Sequence, residues 1–62
     1  MFEVTIHDGE GNPMEEFSHQ NLDQLRLLAS RLKRISLGTD PTYPDAKEGW
    51  HLSVYFVPLK EL

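Results

Sequence analysis

The 62 residues include no cysteine, which excludes a disulfide framework and any thiolate metal site. No apolar run approaches the roughly 20 residues needed to cross a bilayer. The N-terminus lacks the basic region, apolar stretch and small-residue cleavage site of a secretory leader, so a cytoplasmic location without membrane contact is expected. Also missing are internal repeats, low-complexity segments, a nucleophile elbow and a glycine loop leading into a helix N-terminus. Gly9 and Gly11 precede a proline and a short strand, so turn chemistry accounts for them. The chain is therefore expected to be non-enzymatic, with no catalytic residues and no cofactor.

What remains is a chain long enough for one core. A domain this small sits near zero net stability once ordering entropy is set against burial, so an oligomer or a partner is a natural supplement. The net charge is −4 but unevenly spread. Between Asn21 and Leu37 one acid stands against four bases, a local +3, which leaves −7 on the remainder.

Phe2 to His7 alternates apolar and polar residues with the period of a half-buried strand. Asp8 to Pro13 is a turn, and Met14 to Ser18 is the return strand, with Glu15 and Glu16 suiting a sheet edge. Asn21 and Gln24 form a capping-box variant ahead of a helix over 22–37. Leu22, Leu25, Leu28, Ala29, Leu32 and Ile35 share one side of that helix, and Gly38 stops it. A breaker-rich loop runs over 38–49. A strand over 50–57 sets Trp50, Leu52, Val54 and Phe56 on one side and His51, Ser53, Tyr55 and Val57 on the other. The expected architecture is a single α+β domain over 1–62. It has ββαβ order, a three-stranded, mostly antiparallel sheet and one amphipathic helix on one face. Strand one in the middle makes every pairing antiparallel, whereas strand two in the middle requires a parallel crossover.

His7, His19 and His51 lack the close spacing of a metal-binding helix or knuckle, and no metal site is expected, although His7 and His51 can meet across paired strands. The function is then expected to rest on surfaces. One helix covers one face of a sheet, so Tyr55, Val57 and Leu59, joined by Tyr43, form a candidate apolar patch on the other. Either the long loop folds back over that patch, or two copies pair along the last strand into a six-stranded sheet. The candidate partner-binding residues are Arg26, Leu27, Arg31, Arg34, Tyr43, Tyr55 and Val57. They suit a small protein-binding module, a regulator, inhibitor or assembly factor, acting as a homodimer. The alternatives are a nucleic-acid binder that uses the basic helix, or a nucleic-acid mimic presenting Glu3, Asp8, Glu10, Glu15 and Glu16.

Overall fold

Hydrophobic alternation, turn chemistry and helix capping each specify a local element, and the computed structural model shows how they assemble. It describes residues 1–46 and 48–58. Leu59, which the sequence adds to the apolar patch, lies outside them.

Strand β1 spans Phe2–His7. The turn after it is held by Asp8, whose carboxylate accepts from the backbone N–H groups of Glu10 and Asn12 and from the Asn12 side-chain amide. Gly11 takes a φ of 85°, a left-handed conformation that costs glycine little. Strand β2 spans Pro13–Gln20, longer at both ends than the 14–18 expected from the sequence. Two irregularities hide the true length. Phe2 pairs with Gln20 but Val4 with Phe17, and Ile6 pairs with Glu15 but His7 with Pro13. At each place β2 spends one residue more than β1, so its alternation breaks. His19 takes up part of the excess at a φ of 58°. Pro13 opens the strand, the position where a missing N–H removes no ladder bond.

Helix α1 spans Leu22–Ser36. Asn21 Oδ1 accepts from the Gln24 backbone N–H at 2.8 Å, and Gln24 Oε1 accepts from the Asn21 backbone N–H at 2.8 Å, the expected capping box. At the far end Gly38 N–H donates to Ile35 and Thr39 N–H to Arg34, which closes a Schellman motif around the left-handed Gly38. The inward stripe is narrower than the sequence suggests. Leu28 and Ile35 are buried, Leu25 and Leu32 half-buried, while Leu22 and Ala29 stay exposed.

Strand β3 spans His51–Phe56 and completes an antiparallel sheet in the order β2-β1-β3. The open question of strand order is thus settled with β1 central. Its neighbours put Val4 opposite Phe17 and Val54, and Ile6 opposite Glu15 and Leu52, all on the helix side. Val4, Ile6 and Leu28 form the buried centre, with Phe2, Phe17, Leu25, Leu32, Trp50 and Leu52 packed around it. No helix among the described residues is long and apolar enough to cross a membrane.

Candidate interaction surface

The loop over 38–49 is fastened to the helix side of the sheet by one polar cluster. Arg31 donates from Nη1 and Nη2 to the two oxygens of Glu15, at 2.8 and 2.7 Å, and from Nε to Asp40 at 3.3 Å. The Tyr43 hydroxyl donates to Glu15 Oε2 at 2.6 Å, and the Thr42 N–H donates to Asp40 at 2.8 Å. The Tyr43 ring lies 4.7 Å from Trp50, centroid to centroid, and the Arg31 guanidinium stands over the Tyr43 ring at 5.8 Å. Glu15 faces the helix because it pairs with Ile6, so the loop closes the helix side of the sheet and leaves the outer face alone.

These contacts shift several titrations. The Arg31 fork holds the Glu15 carboxyl below its ordinary range, and the Thr42 N–H does the same for Asp40. Hydrogen bonding to Glu15 raises Arg31 and also Tyr43, whose neutral hydroxyl it favours. The signs define a pH window. A depressed carboxyl contributes stability above its unfolded value, so the contribution of Glu15 and Asp40 fades as pH falls below about 4.5 and about 3.8. A raised tyrosine contributes below about 10 and loses its share at higher pH. Urea midpoints measured from pH 7 down to 3 are expected to fall, and Glu15→Gln is expected to flatten that acid limb. An unchanged limb in the variant would remove Glu15 from the explanation.

The outer face of the sheet is mostly polar. Thr5 lies opposite Glu16 and Ser53, and Glu3 opposite Tyr55. His7 and His51 do meet across the strands, with rings stacked at 4.8 Å and 10°. A neutral His7 protonated on Nδ1 donates to the Gly11 carbonyl, 3.3 Å away, and accepts from Ser53 Oγ at 2.8 Å. Among the described residues no three His, Cys, Asp or Glu side chains gather closely enough to hold a metal ion.

The seven residues nominated from the sequence do not share one surface. Arg26, Leu27 and Arg34 are exposed on the helix, and Tyr55 is exposed on the outer side of the sheet, at the opposite side of a two-layer molecule. Arg31 and Tyr43 are engaged inside the domain by Glu15, Asp40 and Trp50. Of the helix cations, Arg26, Lys33 and Arg34 are exposed, whereas Arg31 faces two carboxylates. Val57 follows β3, partly exposed, with its N–H donating to the Met1 carbonyl at 2.8 Å.

Two residues assigned by sequence to the core side prove to be open. Val54 is 43% and Phe56 66% exposed, although both lie on the helix side of the sheet. A helix about 10 Å wide covers roughly two strands spaced about 4.8 Å apart. Here Leu52 packs against the buried centre, and the cover stops short of the C-terminal part of β3, where Val54 and Phe56 lie. Phe56 touches Phe2 edge to face at 5.6 Å and, among the described residues, leaves most of its ring exposed.

The two sheet edges differ sharply. β2 carries a proline, two irregularities, a left-handed residue and two glutamates, all of which discourage another strand from adding. From His51 to Val57 β3 has no charged residue and no proline, and its register against β1 is unbroken.

A concave feature of about 550 Å³ lies between the turn at Asp8 and Glu10 and the loop through Asp45 and Glu48, with Tyr43 and Trp50 in its wall. The Asp8 carboxylate there is already engaged by the turn. No protein-family model matches the chain, and no curated protein or solved structure matches it either. The fold and surface therefore define it only as a small α+β domain with, among the described residues, one guarded and one open sheet edge.

Proposed function

We propose that this domain is a small non-enzymatic protein-binding module of the regulator, inhibitor or assembly-factor kind, which takes a β-strand of its partner along β3. The observation that carries the reading is the open edge of β3, flanked on the helix side by the exposed side chains of Val54 and Phe56. Strand addition draws affinity from backbone hydrogen bonds and specificity from alternate side chains, and β3 supplies both. The helix residues Arg26, Leu27 and Arg34 are exposed on the helix, away from this edge.

Photo-crosslinking in living cells of the source tests the reading. A benzoyl-phenylalanine at position 56 is expected to capture polypeptide, whereas the same group at Glu16 on the guarded edge is not. Val54→Pro is expected to remove the adducts. Absence of polypeptide adducts at position 56, or adducts indifferent to Val54→Pro, would overturn it.

A further inference from the structure

The hydrogen-bond polarity of β3 decides which residues a partner strand meets. Val57 N–H donates to the Met1 carbonyl, so residues 1 and 57 form a hydrogen-bonded pair of the β1 and β3 ladder. In an antiparallel ladder such pairs alternate, so His51, Ser53 and Tyr55 direct their backbone groups to β1. Leu52, Val54 and Phe56 direct theirs outward, and their side chains all lie on the helix side.

We infer that β3 pairs with the β3 of a second copy about a two-fold axis through Val54, which rests on the strand-addition reading above. Val54 then faces its own counterpart, and Leu52 faces Phe56. Every outward backbone group of the three residues finds a partner. The sequence selects this register among the possible slips. Shifting by one step towards the C-terminus brings Pro58, which has no N–H, opposite Leu52. Shifting the other way sends Phe56 past the end of the strand to Trp50. The axis stands perpendicular to the sheet, so both helices lie on one face and the Phe56 ring moves into the space between them. Assembly stops at two, because the remaining edges are the guarded β2 strands.

Size sets the expected strength. The exposed parts of Val54, Tyr55, Phe56 and Val57 from two copies come to roughly 800 Å² at most, below the range of about 1,200 to 2,000 Å² for stable specific interfaces. An interface of that size suits a dimer that exchanges with single chains rather than a permanent one.

The cysteine-free sequence allows a direct test with three single variants, Ser53→Cys, Val54→Cys and Tyr55→Cys. Paired strands at a hydrogen-bonded position hold Cα atoms about 5.5 Å apart, within disulfide reach. In the inferred register only residue 54 faces itself. Residues 53 and 55 stand about 8 Å from their own counterparts, beyond that reach. Under mild oxidation at about 50 μM, Val54→Cys is expected to convert mainly to a covalent dimer. The other two alone are expected to stay single-chain, and their equimolar mixture to cross-link. The unmodified chain is expected to move from one-chain to two-chain mass by sedimentation as concentration rises. Preferential linking through position 53 or 55 alone would overturn the register. A single-chain Val54→Cys together with a constant one-chain mass would overturn the second copy as occupant. If adducts at position 56 then joined the domain to a different polypeptide, strand addition would stand without self-pairing.

Discussion

Arg31→Ala is expected to lower the free energy of unfolding by about 3 kcal/mol, a third or more of what a domain of this length holds. Removing one member of a fully buried ion pair costs about 3 to 5 kcal/mol, and removing one from an exposed pair less than about 1. The Arg31 and Glu15 side chains keep 21% and 26% of their exposure, which places them towards the lower end of the buried case. Geometry adds to the loss. The fork on Glu15 is bidentate, and without it Glu15 and Asp40 lose the cation they share, keeping the Tyr43 hydroxyl and the Thr42 N–H as donors. A domain of this length holds in total about 3 to 9 kcal/mol. Arg31→Lys is expected to recover only part, since an ammonium cannot form both bonds of the fork. A double-mutant cycle with Glu15→Gln is expected to give a coupling of at least about 1 kcal/mol. Should Arg31→Ala move the urea midpoint no further than Arg34→Ala does, the cluster is not what fastens the loop.

This cluster also marks where sequence reasoning ends. The elements were legible because their signals are local: the alternation in Phe2–His7, the capping pair Asn21 and Gln24, and the stop at Gly38. Arg31 could not be separated from Arg26 and Arg34 by periodicity, because its fate depends on Glu15, sixteen residues earlier, and on the β2 register that turns Glu15 towards the helix. Two irregular steps in β2 set that register, and neither leaves an alternation to read. Tyr43 was singled out as an aromatic in a long loop, but whether it faced solvent or Glu15 required a contact spanning 28 residues. At β3 the alternation gave the right faces and the wrong coverage. Apolar character assigned Val54 and Phe56 to the core side, and only the packing shows that this side is not closed over the C-terminal part of β3. The signal that was available is the lack of any charge or proline from His51 to Val57, which distinguishes this edge from β2.

Ile6→Ala and Phe56→Ala are expected to separate folding from association, although both remove a large apolar side chain from the same side of the sheet. Ile6 is 0% exposed, flanked by Glu15 and Leu52 on the neighbouring strands, and truncating such a residue costs about 2 to 5 kcal/mol through lost transfer energy and the cavity left behind. It sits on the central strand, which is paired with both β2 and β3, so the loss is expected to appear as cooperative unfolding of the whole domain. Ile6→Val, which removes one methylene, is expected to cost about 1 kcal/mol and to leave the fold intact at 25 °C. Phe56 has little to lose in the single chain beyond its edge-to-face contact with Phe2, worth about 0.5 to 1.5 kcal/mol. Its truncation is therefore expected to lower the urea midpoint much less than Ile6→Ala does while raising the dimer Kd at least tenfold, read by sedimentation over the same concentrations. The opposite pattern, in which Phe56→Ala unfolds the chain and Ile6→Ala only weakens association, would mean that the bare margin of β3 belongs to the core and that the open edge lies elsewhere.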